Sequence, residues 1–357
     1  MAKFYNIQVQ DIDKVTKDCS VVTFLIPDEL VPEFQYKQGQ HLTLKSVIDG
    51  HEERRSYSLC SSPVENKWQV AVKKINGGLF SSFVNETLKK GDFIEIMPPS
   101  GKFNVDVDSD KAKNYIAFAA GSGITPILSI IKTHLAKEPN STFKLFYLNR
   151  SVKTIIFKEE IEQLKNRYFG RFEIFHFLTK EHRSVELFNG RFTKEKMQLL
   201  ADKIIDIPSV DDCFLCGPED MIFLLRDELN AAGLEKDKIH YELFTSGISD
   251  EDKERIKRIV EHKAEGTDVT IIDGGKEFHF VMDEAYDNIL DGALAAGADL
   301  PFACKGGVCS TCKCKVLEGE VEMKVNYALD AHEVAKGLVL SCQAVPTTDK
   351  VVVDFGV

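Results

Sequence analysis

Four cysteines near the carboxyl end are the residues whose spacing most clearly indicates chemistry. Cys304, Cys309 and Cys312 follow the pattern C-x4-C-x2-C, and Cys342 comes after 29 further residues. This spacing is typical of a [2Fe–2S] cluster, which one loop holds with three thiolates while a distant fourth closes the other side. The glycine pair 306–307 would let backbone N–H groups approach the cluster sulfurs. The four cysteines are therefore the predicted metal ligands.

A structural zinc site is the alternative for these cysteines. Structural zinc is usually held by two close pairs of ligands, which a triplet and a lone cysteine match poorly. Cys314 comes two residues after the triplet and is predicted to pack in a strand rather than to bind metal. Nine cysteines in a chain expected to be cytosolic favour metal or redox chemistry over disulfides. The scattered ones are predicted to be small buried residues; these are Cys19, Cys60, Cys213 and Cys216.

A second group of candidate residues lies in the first third of the sequence. Arg55, Tyr57 and Ser58 share a predicted strand and offer a cation for a phosphate, a ring for stacking and a hydroxyl for a ring nitrogen. Alternating polar residues are also common on half-exposed strands, so that interpretation stays open. Further along, a glycine pair ends a strand and opens a helix, whose first N–H groups can bind an anion. The residues expected at that anion site are Gly78, Leu79, Phe80, Ser81 and Ser82.

A third group follows the apolar run 115–119. Gly121, Gly123, Thr125 and Pro126 end a predicted strand and open a helix, the context that a dinucleotide-binding turn requires. The glycines allow a tight turn and close backbone approach to a pyrophosphate, whose charge the helix N-terminus stabilises. A proline replaces the last glycine of the pattern G-x-G-x-x-G. A glycine pair after a strand can also be only a turn.

The end of the next predicted strand bears on the choice of nucleotide. NAD sites commonly place Asp or Glu there to accept the ribose 2′-hydroxyl. Here the strand ends in Leu148-Asn-Arg-Ser, without a carboxylate. Arg150 and Ser151 could hold a 2′-phosphate, for which a guanidinium is well suited. The sequence therefore favours NADPH over NADH, although a surface arginine can also be only solubilising.

The elements that must position these residues form three segments of different texture. Short alternating strands up to about Asp108 predict a small antiparallel barrel or sandwich with one helix. Strand–helix alternation from about Asn114 predicts a parallel sheet covered by helices. A charge-rich stretch follows, and then two strands flank Gly274-Gly275, a hairpin signal. The predicted domains are 1–108, 109–246 and 265–357, joined by a charged and partly helical linker at 247–264.

Composition and charge exclude several classes of protein. The 357 residues carry a net charge of −11, with 43% apolar and 28% charged residues, as in a soluble globular protein. Residues 265–357 have 16 acidic and 7 basic side chains, which marks a separate acidic module. This balance argues against a nucleic-acid partner. Neither a signal peptide nor a membrane span is expected, and the predicted location is the cytoplasm.

Taken in order, these motifs resemble one protein family. The first two segments are similar to the ferredoxin–NADP reductase superfamily, and 267–357 resembles plant-type ferredoxins, including the residues around Cys304 and Cys342. The resemblance implies a multidomain fold: an antiparallel β-barrel FAD domain, an α/β parallel-sheet nicotinamide-nucleotide domain and an α+β (β-grasp) [2Fe–2S] ferredoxin domain. A ferredoxin helix is expected near 285–296.

The resemblance also implies roles for single residues. Arg55 would bind the FAD pyrophosphate, Tyr57 would stack on the isoalloxazine, and Ser58 would lie near N5. The set Cys216-Gly217-Pro218 matches the Cys-Gly-Pro motif of the superfamily, beneath the nicotinamide, with Cys216 against the reacting C4 atom. Glu242 is expected to approach this active site. Leu148, where relatives often have glycine, is a departure in the adenosine region.

The implied activity is that of an NAD(P)H-dependent oxidoreductase in which the cofactors carry the chemistry. Hydride would pass from NADPH to FAD, and single electrons would then pass through the [2Fe–2S] cluster to a protein acceptor. The motif details resemble most the phenylacetyl-CoA epoxidase reductases, which implies a di-iron oxygenase partner. The alternatives are a reductase for a ring-hydroxylating oxygenase or a free ferredoxin, a redox sensor with slow turnover, and a zinc-binding interaction protein.

Overall fold

The alternating strands of the first segment form a six-stranded antiparallel sheet. The computed structural model describes residues 3–244, 250–261 and 266–357. The sheet has the strand order β4-β3-β6-β1-β2-β5. Its strands, together with the helix α1 (Leu79–Glu86), are β1 (Tyr5–Thr16), β2 (Cys19–Leu25), β3 (His41–Ile48), β4 (His51–Ser58), β5 (Trp68–Lys73) and β6 (Phe93–Ile96).

The two edges of this sheet meet, so that the sheet closes into a barrel. Leu59, directly after the edge strand β4, forms an antiparallel bridge with Val70 of the other edge strand β5. The amide of Cys60 then donates to the carbonyl of Gln69 at 2.9 Å. Inward-facing apolar side chains such as Ile7 and Leu44 fill the barrel and are fully buried. The predicted antiparallel barrel is confirmed, and it holds the predicted flavin motif on its edge strand β4.

The second segment forms a five-stranded parallel sheet with the order β11-β10-β7-β8-β9. Its apolar strands are buried on both faces by helices, as parallel sheets require. The predicted α/β domain is confirmed. The elements are β7 (Asn114–Ala120), α2 (Ile124–Lys137), β8 (Thr142–Asn149), α3 (Lys158–Arg167), β9 (Phe172–Leu178), α4 (Lys194–Lys203), β10 (Asp212–Gly217), α5 (Glu219–Ala231) and β11 (Ile239–Leu243).

One side of the barrel packs into the hydrophobic core of the parallel sheet. Cys19, Cys60 and Phe103 from the barrel side pack in the same buried cluster as the core of the parallel sheet. The ring of Phe103 meets the ring of Phe214 edge to face, with centroids 5.8 Å apart. Tyr5–Glu53 and Tyr57–Phe244 accordingly form a single compact unit.

The carboxyl-terminal segment forms a second compact unit, in which a mixed five-stranded sheet has the order β13-β12-β18-β14-β16. The predicted hairpin is confirmed, since Gly274 and Gly275 both have positive φ between β12 and β13. The elements are α6 (Asp250–Glu261), β12 (Thr267–Asp273), β13 (Lys276–Met282), α7 (Ile289–Ala295), β14 (Lys313–Glu318), β15 (Val321–Met323), α8 (Ala331–Ala335), β16 (Leu338–Leu340), β17 (Ala344–Pro346) and β18 (Lys350–Asp354).

The helix of the ferredoxin segment is shorter than predicted. It begins at Ile289 because the side chain of Asn288 accepts a hydrogen bond from the Asp291 amide and caps the first turn. Gly292 lets the helix approach the sheet closely, since a Cβ there would lie 2.2 Å from the Phe280 ring. The predicted α+β fold of a helix packed on a mixed sheet is confirmed.

The predicted linker contains the helix α6, and residues 247–249 and 262–264 of that prediction lie outside the described residues. Within its own unit α6 contacts the two-stranded β15–β17 region. The hydroxyl of Tyr327 donates to Asp252 at 2.7 Å, and Arg255 donates to the Met323 carbonyl. The exact domain boundaries remain a prediction. Among the described residues, no helix has the length and apolar character needed to cross a membrane.

Candidate functional site

The predicted nucleotide-binding residues lie along one edge of the parallel sheet. In this sheet all strands run in the same direction, so that the loops leaving their carboxyl ends meet at one edge, where open α/β sheets bind their ligands. Glu242 and Cys216 are the second-last residues of β11 and β10. Gly121 follows β7, and Arg150 follows β8. Chain positions spread over more than a hundred residues are thereby brought together.

The turn between β7 and α2 needs its glycines for two separate reasons. Gly121 has a φ of +53°, which favours glycine, and its carbonyl accepts a hydrogen bond from the Tyr147 hydroxyl at 3.0 Å. A Cβ on Gly123 would lie 2.1 Å from the Cys216 carbonyl oxygen. Any larger residue at 123 would therefore push the strand β10 away.

The start of α2 fits a bound anion. Its N-cap residue, Gly123, provides no side-chain hydrogen bond to the first turn. The Thr125 hydroxyl donates to the Ser122 carbonyl at 3.0 Å, and Pro126 has no backbone N–H. The Ile124 amide donates to the Gly121 and Ser122 carbonyls, so a pyrophosphate here would meet the other backbone donors of the turn.

Cys216, Gly217 and Pro218 form the turn from β10 into α5. Cys216 lies between Ala119 of β7 and Glu242 of β11 in the sheet register. Gly217 is tightly enclosed, because a Cβ there would lie 2.5 Å from the Met221 side chain. Burial, and secondarily the charge of Glu242, raise the pKa of the Cys216 thiol well above its ordinary value. Cys216 is therefore a neutral thiol.

Ser58 and Glu242 meet, although 184 positions separate them in the sequence. The Ser58 hydroxyl donates to Oε2 of Glu242 at 3.0 Å. Desolvation raises the pKa of the Glu242 carboxyl, and the hydrogen bond from Ser58 lowers it. Desolvation is the larger effect, and the resulting pKa is about 7. The barrel and the parallel sheet therefore join a hydroxyl, a carboxyl that titrates near neutrality and, next to them, the thiol of Cys216.

The strand β4 presents the rest of the predicted flavin motif. Tyr57 is half-buried, and its ring packs against the buried Phe80 ring with centroids 5.9 Å apart. Phe80 therefore orients the tyrosine, a role for its side chain that the sequence did not indicate. Arg55 is exposed, and one guanidinium nitrogen donates to the Arg54 carbonyl at 2.7 Å.

The start of α1 is a second uncapped helix N-terminus. Gly78 is the N-cap residue and makes no side-chain hydrogen bond to the first turn. The Ser81 hydroxyl accepts a hydrogen bond from the Ile75 amide and donates one to the Gly78 carbonyl. Both bonds join Ser81 to the loop that precedes α1, so this hydroxyl is used there rather than on a ligand. The Ser82 amide is used within the helix, on the Gly78 carbonyl at 3.0 Å. The backbone donors left for an anion are those of Leu79, Phe80 and Ser81.

The loop after β8 contains the residues expected to select the nucleotide. Arg150 is exposed, and Ser151 caps the short 3₁₀ turn Val152–Thr154. The amide of Val152 donates to the carboxylate of Glu181 at 3.1 Å. Glu181 follows the next strand, β9, so the structure brings a carboxylate to a loop where the local sequence has none.

The four predicted metal ligands come together as two pairs of thiols. The free thiol of Cys304 forms a hydrogen bond with that of Cys309, and the free thiol of Cys312 forms one with that of Cys342. Cys304 is half-buried and the other three are buried. In the described part of the chain, no three His, Cys, Asp or Glu side chains surround a single ion position. A zinc ion would need all four thiols around one position, whereas a [2Fe–2S] cluster takes two thiolates at each of its two irons, so two separate thiol pairs suit the cluster.

The loop around these thiols has the backbone conformation that a cluster loop needs. Lys305, Gly307 and Ser310 have positive φ, and a Cβ on Gly307 would press on Val325 at 3.0 Å. The Gly306 amide donates to the Cys304 sulfur at 3.3 Å. As predicted, glycine at 306 and 307 lets backbone N–H groups turn toward the sulfurs.

The thiols differ in their readiness to ionise. The hydrogen bond from Cys309, helped by backbone amides, lowers the pKa of Cys304 to about 6 despite its partial burial. The hydrogen bond from Cys312 likewise lowers the pKa of Cys342. Cys314 is fully buried in β14, and burial raises the pKa of its thiol above the ordinary range. One thiol in each pair is therefore disposed to be a thiolate, the form that binds iron, whereas Cys314 packs as predicted.

Three family models match successive parts of the chain. An oxidoreductase FAD-binding domain matches residues 6–105, an oxidoreductase NAD-binding domain matches 118–227, and a 2Fe-2S iron-sulfur cluster binding domain matches 271–347. Their order is the order of the barrel, the parallel sheet and the mixed sheet.

Two curated relatives align with nearly the whole chain. A component of the 1,2-phenylacetyl-CoA epoxidase of Escherichia coli (strain K12) is 41% identical, with 99% of this chain and 98% of that protein aligned. The ferredoxin reductase component of the 3-ketosteroid-9-alpha-monooxygenase of Rhodococcus rhodochrous is 32% identical over 98% and 96%. The solved structure of phthalate dioxygenase reductase has a TM-score of 0.61 at 23% identity over 99% and 98%, and so shares the fold.

Proposed function

Because the chain belongs to the ferredoxin–NADP reductase-like family with FAD-binding, NAD-binding and [2Fe–2S] ferredoxin domains, we propose that it takes hydride from NADPH and supplies electrons to a di-iron phenylacetyl-CoA epoxidase. The coarser activity follows from family membership: the protein is a reductase component that moves electrons from NAD(P)H through FAD and a [2Fe–2S] cluster to an oxygenase. Bound FAD supplies the conversion from two-electron to one-electron transfer.

The residues proposed for each cofactor are those that the geometry suits. The uncapped turn at Gly78–Ser81 and the Arg55 guanidinium would hold the FAD pyrophosphate, with Tyr57 against its ring system. The turn at Gly121 and Gly123 would hold the nicotinamide nucleotide. Ser58, Cys216 and Glu242 would face the reacting atoms. The proposed cluster ligands are Cys304, Cys309, Cys312 and Cys342.

One observation carries the choice of oxygenase. Identity to the epoxidase component is 41% over the whole chain, against 32% for the 3-ketosteroid monooxygenase reductase at almost the same coverage. Both relatives align with nearly the whole chain, so coverage does not explain the excess identity. It supports an epoxidase partner.

The test is turnover with purified oxygenase components. The reductase, loaded with FAD and cluster, is combined in turn with the oxygenase components of a phenylacetyl-CoA epoxidase and of a 3-ketosteroid monooxygenase. We expect substrate-dependent NADPH oxidation and epoxide formation only with the epoxidase. Product with the second oxygenase alone, or rapid turnover with a free ferredoxin alone, would refute this partner. If NADPH oxidation is slow with every acceptor, ferricyanide included, the protein is a sensor rather than a reductase.

The nucleotide preference is a separate part of the proposal. Arg150 is exposed beside the edge where the nucleotide would bind and can pair with a 2′-phosphate. Glu181 opposes this role, because its carboxylate reaches from the loop after β9 to the amide of Val152, two positions after Arg150. Its hydrogen bond to the Val152 amide occupies one of its oxygens, which supports a structural role for Glu181 and NADPH as donor.

Kinetics with both nucleotides check this preference. We expect Arg150→Ala to lower kcat/KM for NADPH by roughly 10- to 100-fold, the range of one charged hydrogen bond, and to leave NADH nearly unchanged. Arg167→Ala, at the end of α3, removes an arginine outside this loop and serves as the control. A wild-type protein that prefers NADH, and shifts toward NADPH in Glu181→Gln, would reverse the assignment.

A further inference from the structure

The helix α2 has a polar side that is buried against the barrel. Ser129 and His134 are fully buried, and Lys132 and Thr133 are 7% and 3% exposed. Buried positions on a helix are usually apolar, and a buried lysine is rare unless it is paired. The nicotinamide-binding turn needs only the first residues of α2, so these polar residues serve another purpose.

Lys132 is the centre of this polar side, and it contacts three segments. Its Nζ lies 3.4 Å from the Cys60 carbonyl and 3.4 Å from the Glu65 carboxylate, both on the barrel side. It also forms an ion pair with Glu160 of α3, in the nucleotide-binding domain. Burial alone would lower the pKa of Lys132, but Glu160 and Glu65 outweigh it and raise the pKa. The lysine therefore stays charged and joins the two domains.

Neighbouring residues of α2 bind the same short segment of the barrel. The Ser129 hydroxyl donates to the Ser61 carbonyl at 2.6 Å. The hydroxyls of Thr133 and Ser62 lie 2.7 Å apart. Three consecutive residues of the barrel, Cys60 to Ser62, are thus fixed to one helix by hydrogen bonds.

The segment Cys60 to Ser62 lies close to the proposed reaction centre. Cys60 comes two residues after Ser58, which bonds Glu242. At its other end, α2 begins at Gly123, directly against the Cys216 carbonyl. Lys132 comes nine positions after Gly123, or roughly 14 Å along the helix at 1.5 Å per residue. A single helix therefore holds both sides of the reaction centre, Ser58 on the barrel and Cys216 on the parallel sheet.

We infer that Lys132 is a positioning residue for hydride transfer, because it fixes the flavin-bearing strand β4 relative to the nicotinamide-binding turn. Apolar residues would pack at least as stably at a buried site, while a network of directed hydrogen bonds permits only one alignment. Alignment matters because a misplacement of about 1 Å between reacting groups can cost about 100-fold in rate. This inference rests on the proposed roles of Ser58 and Cys216, and is independent of the oxygenase partner.

The experiment is anaerobic stopped-flow reduction of the holoenzyme in Lys132→Met, which keeps the length of the side chain but removes its charge. We expect the limiting rate of flavin bleaching to fall at least about tenfold, with nucleotide KM within about threefold of wild type. The primary isotope effect with C4-deuterated nucleotide should rise and become more temperature-dependent, because the donor–acceptor distance is no longer fixed. Lys137→Met, at an exposed position of the same helix, should behave as wild type.

The outcomes separate positioning from stability. If Lys132→Met has the wild-type rate and isotope effect, or if its slower rate is fully explained by lost FAD, the inference is wrong. Should Lys132→Met not fold, Glu160→Gln keeps the lysine, weakens the same bridge and must slow bleaching with a raised isotope effect. If Ser58→Ala and Cys216→Ala leave the rate unchanged while Lys132→Met lowers it, the proposed reaction centre is misplaced and the inference falls with it.

Discussion

Two cysteines of this protein show how surroundings decide chemistry. Cys216, at the end of β10, is fully buried, and burial keeps its thiol neutral. Cys304, at the start of the cluster loop, is half-buried, and the hydrogen bond from Cys309, helped by backbone amides, lowers its pKa to about 6. The first is suited to fill space beside a reacting atom, and the second is suited to bind iron.

The backbone around each residue contributes to this difference in pKa. Cys216 lies within a sheet, where its neighbours' N–H groups are used by the strands β7 and β11. Cys304 lies in a loop with positive φ at three nearby residues, which turns N–H groups toward sulfur. Burial and the charge of Glu242 therefore raise the pKa of Cys216, whereas the Cys309 hydrogen bond and the loop amides together lower that of Cys304.

The largest expected effect is at the cluster. Cys304→Ala removes a ligand, and we expect complete loss of iron and acid-labile sulfide, measured chemically and by visible absorption. NAD(P)H should still bleach the flavin, because that step precedes the cluster. Cys314→Ala is the matched control, since Cys314 is buried two residues beyond the triplet and should keep the cluster. If Cys314→Ala lost the cluster and Cys304→Ala kept it, Cys314 would be the ligand and Cys304 the packing residue.

A smaller effect is expected at Cys216. Cys216→Ala should slow flavin reduction by on the order of 10-fold, because the nicotinamide is then less well positioned, while iron content stays unchanged. Cys213→Ala provides the comparison, since Cys213 is equally buried on the same strand, three residues away. Anaerobic stopped-flow with each variant measures the effect. Equal rates for both variants would remove Cys216 from the reaction centre.

The smallest effect concerns the pH dependence of stability. The pKa of Glu242 is about 7 in the folded protein, above its ordinary 4.5. Between these values the folded protein holds a proton that the unfolded chain has released, so stability falls as pH rises from about 4.5 to 7. Each unit corresponds to about 1.4 kcal/mol, and the half-burial of Glu242 reduces the total to on the order of 1–2 kcal/mol.

Replacing Glu242 should remove this loss. We expect the melting temperature of Glu242→Gln, followed by flavin fluorescence, to match wild type near pH 5 and to exceed it by a few degrees at pH 8. Glu235→Gln removes an exposed carboxylate nearby in sequence and should change neither value. A constant difference across the pH range would mean that Glu242 is ionised throughout.

The sequence predicted the parts of this protein that depend on local patterns. Cysteine spacing within a few residues identifies a cluster loop, because a single loop must supply three ligands. The strand–glycine–helix pattern at Gly121 likewise predicts a nucleotide turn, because the strand, the turn and the helix follow one another directly in the sequence. The predicted start of α7 at 285 is four residues too early, because the capping side chain of Asn288, rather than the apolar pattern, determines where the helix begins.

Contacts between distant segments could not be predicted in this way. No local signal connects Ser58 with Glu242, and only the family resemblance suggested that Glu242 approaches the site. Glu181 could not be assigned to the nucleotide loop from sequence, because it follows a different strand from Arg150. Lys132 resembles an ordinary surface lysine in sequence, and only the fold shows that it is buried between carboxylates.

The polar side of α2 also bears on how such reductases can be recombined. A chimaera cut near residue 108 would appear to exchange whole domains. It would, however, separate Ser129, Lys132 and Thr133 from the barrel carbonyls and hydroxyl that they bind. Residues 59–65 and α2 should therefore be inherited as one block, even though about sixty positions lie between them.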